Sequence, residues 1–169
     1  MIIRPAESAQ DFEAIARLMR SFVEWQYERH SADRHVIDSY FDPEKFAAEL
    51  KNLPGEFGSP HGALLVADDG RHVAGCVALR RLSDEACEMK RLFVDLEYHG
   101  RGIGKLLGAA IVEEGRHLGY RRMLLDTGPA QTEAQQLYRK LGFRLIGPYS
   151  ELSPLLRNWL VFMELDLTS

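Results

Sequence analysis

At 169 residues the chain has room for one domain; at about 150 residues per domain, a second is not expected. A chain of this length buries about two thirds of its unfolded surface, so its core needs neither disulfides nor a metal. With 46% hydrophobic and 27% charged residues, a mainly disordered chain is excluded. Twenty-one basic against 25 acidic residues leave a net charge of −4, which argues against nonspecific nucleic-acid binding but not against a local basic pocket. Cys76 and Cys87 lack CxxC spacing and are too few for a secreted disulfide framework, so reduced structural thiols are expected. The N-terminal MIIRPAESAQDFEAIARLMR has no apolar signal core, and no run reaches the 18 apolar residues of a membrane span. The expected location is cytoplasmic.

In chain order, residues 2–4 can form a short strand before Pro5. Ser8 is placed to cap a helix on which Phe12, Ile15, Ala16, Met19 and Phe22 recur at helical spacing. The polar-aromatic stretch 25–35 reads either as a second helix or as a partly ordered loop. Pro43 starts a short helix that Pro54 and Gly55 are expected to end. GALLVA (62–67), a DDG turn and HVAGCVAL (72–79) read as a β-hairpin, and CEMKRLFV (87–94) as a third strand of the meander. Lys90 and Arg91 break the apolar alternation of that strand, a mark of an edge, a bulge or a site. Ile103, Leu106, Leu107, Ala110, Ile111 and Leu118 make the clearest helical stripe, closing at Gly119. A strand at 121–127, a helix carrying Ala134, Leu137, Tyr138 and Leu141, and strands at 143–146 and 159–167 follow, the last two joined by a loop with Pro148 and Pro154. Hairpins followed by strand–helix–strand–helix–strand argue for the α/β class, one mixed sheet covered by helices in a single domain 1–169.

The strongest chemical signal is His99-Gly100-Arg101-Gly102-Ile103-Gly104-Lys105, between a strand and a helix. Glycines let such a loop turn tightly and approach a ligand, and the helix start offers unpaired N–H groups to an anion. Arg101 and Lys105 add positive charge. The bland alternative is a turn that only lets the helix pack on the sheet. There is no GxxxxGK[ST], and the glycine spacing misses GxGxxG, so neither a P-loop nor a dinucleotide fingerprint is present.

With MKRLFVDLEYHGRGIGKLL (89–107), GYRRMLLDT (119–127) and AQQLYRKLGF (134–143) in this order and spacing, the sequence resembles the GNAT family of acyl-CoA-dependent N-acetyltransferases. The resemblance is strongest over residues 86–146, which it implies are the acyl-CoA-binding core, with 5–59 as the variable substrate-facing region. It implies a three-layered α/β acyl-CoA N-acyltransferase fold, with a central, mostly antiparallel twisted sheet flanked by helices. The family's Q/R-x-x-G-x-G/A loop maps to His99, Gly102 and Gly104, with Gly100 and Arg101 between; His99 departs from the pattern. The resemblance further implies that pantetheine lies beside Phe93 and Val94, where strands 87–94 and 121–127 splay, and that a Val94 N–H supports the oxyanion.

By the same resemblance Tyr138 sits near the acyl-CoA sulfur and donates a proton to the leaving thiolate; the alternative is a tyrosine packed at the core rim. Glu88 is the candidate general base, against a reading as a salt-bridged strand residue, with Glu24 and Glu28 as other acids. Trp25, Tyr27 and Tyr149 are candidates to shape the acceptor pocket. The six histidines show no HxxxH, so no metal is expected. The implied activity is transfer of an acetyl group from acetyl-CoA to a primary amine of a small molecule, amino acid or peptide. The alternative is a noncatalytic acyl-CoA-binding or regulatory module of the same fold. The expected partners are acetyl-CoA and the amine, with no nucleic acid and no membrane; a homodimer is left open.

Overall fold

In the computed structural model, which describes residues 1–169, the first helix begins with a reciprocal cap. The Ser8 hydroxyl accepts from the Asp11 N–H at 3.1 Å, and the Asp11 carboxylate accepts from the N–H groups of Ser8 and Glu7. Arg4 reaches the same carboxylate with both terminal nitrogens and also Asp68, tying β1 (Ile2–Pro5), α1 (Ala9–Arg29) and β2 (Ala63–Asp68) together. The polar-aromatic stretch divides: residues 25–29 finish α1, a 3₁₀ turn spans Ser31–Asp33, and α2 covers Arg34–Tyr40. After α3 (Pro43–Lys51) the chain does not leave helical conformation for long. Pro54 lies in the first turn of α4 (Leu53–Phe57), where its missing N–H has no helical partner to lose, so the proline starts a helix instead of stopping one.

The remaining strands are β3 (Val73–Arg81), β4 (Ala86–Val94), β5 (Arg122–Thr127), β6 (Arg144–Ile146) and β7 (Val161–Asp166). They form one sheet in the order β1-β2-β3-β4-β5-β7-β6, antiparallel throughout except where β4 runs parallel to β5. Helix α5 (Ile103–His117) and α6 (Thr132–Lys140) cover one face. Helices α1 and α4 cover the other, with Ile15, Leu18, Met19, Leu53 and Phe57 fully withdrawn from solvent. The C-terminal region departs from the expected loop and long strand: Ser153 caps α7 (Pro154–Trp159), which precedes β7. Pro154 again occupies a first turn.

Strand alternation explains the two cores. Leu65, Val77 and Leu79 face α5, whereas Leu64, Val66, Cys76 and Ala78 face α1 and α4. On β4, Cys87 and Met89 face α5, yet Phe93, also odd-numbered, faces α1. The parity flips because β4 carries a bulge. Cys76 pairs with Phe93 but Ala78 with Lys90, so three residues of β4 advance against two of β3, and Arg91 in between has φ 58°. The sequence interruption at Lys90–Arg91 is therefore this bulge.

Burial pushes both cysteine thiols up to about 12. Native protein at pH 8 should leave a thiol reagent such as DTNB unreacted, and unfolding in guanidinium should release two equivalents; prompt reaction of either thiol in native protein would contradict this packing.

Candidate active site

Parallel pairing of β4 with β5 lasts only from Ala86↔Arg122 to Glu88↔Leu124. Beyond it the two strands part, and the β4 edge from Met89 to Val94 has no strand partner on that side. A groove of about 340 Å³ runs from this opening along Phe93 and Val94 to the glycine loop and the start of α5. Gly100 and Gly102 have φ 78° and 75°, and a Cβ at either would meet no atom within 4 Å. They are needed for left-handed backbone, not for packing. Gly102 caps α5 without any side-chain hydrogen bond, so the first N–H groups of the helix are not taken by a cap. That cradle has the donors and the dipole for a phosphate group.

His99 braces the loop. Its Nε2–H donates to the Val94 carbonyl at 2.8 Å, the tautomer following from a carbonyl that can only accept. Ile103 and Gly104 also line the groove. Arg101 and Lys105 do not. Arg101 lies over the Tyr98 ring and donates to the Glu97 carbonyl, and Lys105 is exposed.

A second, smaller cavity of about 40 Å³ opens beside the first, with Phe22, Leu92, Gln131 and Tyr138 shared between the two. Its far wall comes from α1 and α2 (Gln26, Ile37, Tyr40) and from the parted strands (Lys90, Arg91, Asp126, Thr127). Lys90 Nζ donates to Tyr40 Oη at 2.9 Å, and Tyr40 donates to Asp126 at 2.6 Å. Lys90 also lies 3.9 Å from Glu88 and 4.0 Å from Asp126. Burial alone would lower the Lys90 pKa, but Tyr40, Asp126 and Glu88 together carry it above its ordinary value. Arg91 forks onto Glu49 with bonds of 2.9 and 3.0 Å and packs between Phe41 and Phe46. The Thr127 hydroxyl is buried without a hydrogen-bond partner. Tyr138 is 7% exposed, and burial, with Asp126 nearby, holds its phenol well above the usual range, so it stays protonated at neutral pH.

A profile of the acetyltransferase (GNAT) family matches residues 15–143. The chain belongs to this enzyme family. Among related sequences, an uncharacterized N-acetyltransferase of Schizosaccharomyces pombe is 42% identical over 103 residues, a stretch covering 60% of this chain and 63% of that protein. The matched part thus spans under two thirds of that relative's length. A GNAT-family acetyltransferase of Staphylococcus aureus Mu50 shares the fold over 99% of both chains, with a TM-score of 0.75 at 20% identity. An acetyltransferase of Salmonella typhimurium crystallised with acetyl-CoA covers 100% of this chain and 95% of its own, with a TM-score of 0.67 at 24% identity.

On this GNAT scaffold the sequence candidates are dispersed unevenly. Tyr138, Phe93, Val94, His99, Gly100, Gly102, Ile103 and Gly104 converge on the groove, and Trp25 joins them. Glu24 and Glu28 are exposed on α1, and Tyr27 is engaged with Asp38. Glu88 lines neither cavity. It is 2% exposed; one oxygen accepts from Arg80 at 2.7 Å and the other from Tyr149. Burial pushes its carboxyl up, but Lys90 and Arg80, with the Tyr149 hydrogen bond, pull it further down, below its ordinary 4.5. Tyr40, Asp126, Thr127 and Gln131 were not singled out from the sequence. Asp126 and Thr127 had one usable signal, their position at the end of a strand that the resemblance makes splay.

Glu88→Gln should therefore destabilise the fold by about 2 kcal/mol at pH 7, less than a fully buried pair because Arg80 remains 40% exposed. Since the folded carboxyl lies below 4.5, this contribution is present above that pH and lost as pH falls through the folded value. Urea titrations should find the parent and the variant converging in acid.

Proposed function

We propose that this protein transfers an acetyl group from acetyl-CoA to a primary amine by direct attack, with no covalent enzyme intermediate. The observation that carries this reading is that Tyr138 lines both the long groove and the small charged cavity, at the point where the two meet. A donor laid along the groove and an amine in the cavity would then be held together at one phenol, and proximity supplies much of the rate.

In this reading the backbone of residues 99–104 holds the pyrophosphate, and Phe93 and Val94 on the unpaired β4 edge hold the pantetheine arm and offer an N–H to the oxyanion. Residues 5–59 form the acceptor side, through Phe22, Gln26, Ile37, Tyr40 and Phe41. As the amine nitrogen bonds to the acetyl carbon, the carbon–sulfur bond breaks and its electron pair stays on sulfur. Tyr138 gives that sulfur a proton. The amine sheds protons to water or to Asp126, the one carboxylate lining the cavity, and Glu88 serves as a positioning residue that keeps Lys90 and Tyr149 in place. The balanced products are the N-acetyl amine, CoA thiol and one proton.

Free-thiol release from acetyl-CoA across a panel of amines, with product mass, tests the reading; binding of acetyl-CoA without release on any amine would favour a noncatalytic module. Tyr138→Phe should keep stability and acetyl-CoA affinity while lowering single-turnover transfer at least tenfold, about 1.4 kcal/mol of transition-state stabilisation. An unchanged transfer step would remove Tyr138 as the proton donor. At Gly104 a first side-chain carbon meets only Leu137 and Val94 at ordinary contact, 3.6 and 3.9 Å. Gly104→Val should therefore fold but weaken acetyl-CoA binding about tenfold or more by filling the groove, as read by calorimetry.

A further inference from the structure

The charge arrangement of the small cavity names a class of acceptor. We infer that the acceptor is a small free α-amino acid, bound as a zwitterion with its ammonium group on Asp126 and its carboxylate on Lys90. This inference rests on the acetyl-transfer reading for its chemical outcome, though not for the binding it asserts.

Three observations carry it. First, Lys90 has three N–H donors and one acceptor within hydrogen-bond distance, Tyr40; Glu88 and Asp126 stand off at 3.9 and 4.0 Å. A buried ammonium with two donors to spare, facing a cavity, suits an anionic ligand. Second, the separation of Lys90 from Asp126 matches the ligand. The nitrogen and carboxylate oxygens of an α-amino acid are about 3 Å apart by standard bond lengths and angles. Laid across the 4.0 Å gap, the zwitterion completes a ring of alternating charges, Asp126, ammonium, carboxylate, Lys90. Third, Thr127 lines the same cavity and its hydroxyl is buried without a partner, a group that either end of a zwitterion would satisfy on reaching it.

The same wall disfavours other amines. Two cations, Lys90 and Arg91, line the cavity against one carboxylate, so a polyamine or other polycation meets like charge. Glu49 neutralises Arg91 through two hydrogen bonds, whereas Lys90 has no carboxylate nearer than 3.9 Å. A volume of about 40 Å³ holds about three waters, the space of one ammonium and one carboxylate. A bulky polar acceptor does not fit; a small side chain can extend past Phe22 and Tyr138 into the groove.

The test compares glycine, L-alanine, L-serine and L-aspartate with their α-amides, in the presence of CoA for binding by ligand-observed NMR and with acetyl-CoA for thiol release. At least one acid should bind, and react with kcat/KM, tenfold or more better than its amide. Lys90→Met should bring that ratio near one, and Thr127→Val, which preserves shape, should raise KM for the acid several-fold. Binding of an acid over its amide without any thiol release would leave this inference standing and remove acetyl transfer. Thiol release with amides or simple amines as efficient as with every acid would overturn this inference and leave acetyl transfer standing. Absence of acid binding in the folded parent would overturn it as well, whatever the variants do.

Discussion

The rest of the molecule depends on the early end of one strand pairing. β4 and β5 are parallel neighbours for three residue pairs, then separate. Parallel strands cannot be joined by a tight turn, and here the chain between them is the glycine loop and α5, which lies across one face of the sheet. The separation leaves backbone N–H and C=O groups of β4 without a strand, which elsewhere in a sheet would be a defect. In this fold it opens the groove on one side and the charged cavity on the other. The bulge at Arg91 belongs to the same event: by flipping side-chain parity it sends Phe93 against Phe22 of α1, with ring centroids 5.2 Å apart, while Lys90 remains in the cavity wall.

Opening the sheet exposes its middle to a run of charges, and their order keeps them tolerable. Arg80, Glu88, Lys90 and Asp126 alternate in sign, and Arg91 has Glu49. Two unit charges 4 Å apart attract by about 4 kcal/mol at an effective dielectric near 20, which offsets desolvation only while every member has its partner. Such a network is rigid for its own reasons. It holds Tyr40, Tyr149 and Lys90 in place through hydrogen bonds within the protein. The unpartnered Thr127 hydroxyl is the one exception among buried side-chain polar atoms, and Thr127 is one of the residues that line the cavity.

The sheet and its covering helices were largely legible in the sequence, because alternation at 62–94 and helical spacing at 103–118 and 134–141 are properties of neighbouring residues. The misreadings fall at Pro54 and Pro154, where a proline admits either a stop or a first turn and only the following residues' packing chooses. The glycine loop and Tyr138 were also legible, since closely spaced glycines before an amphipathic helix, and a tyrosine within a family pattern, are local signals. Arg101 and Lys105 carried the right charge in the right segment, yet their side chains sit outside the groove.

The small charged cavity could not be read that way. Tyr40, Lys90 and Asp126 are separated by dozens of residues, on α2, β4 and β5, and become one cluster only when α2 packs over the opening between those strands. Glu88 shows the same limit from the opposite direction. Its sequence position beside Lys90 identified a strand carboxylate, but whether it faced substrate or protein depended on Arg80 across the strand pair and on Tyr149, 61 residues away. By itself the sequence determined most of the secondary structure, the glycine loop before α5 and the family, all written in short-range periodicity and spacing. Tertiary structure decided which charges share a cavity, because electrostatic partnership depends on distance in space and not along the chain.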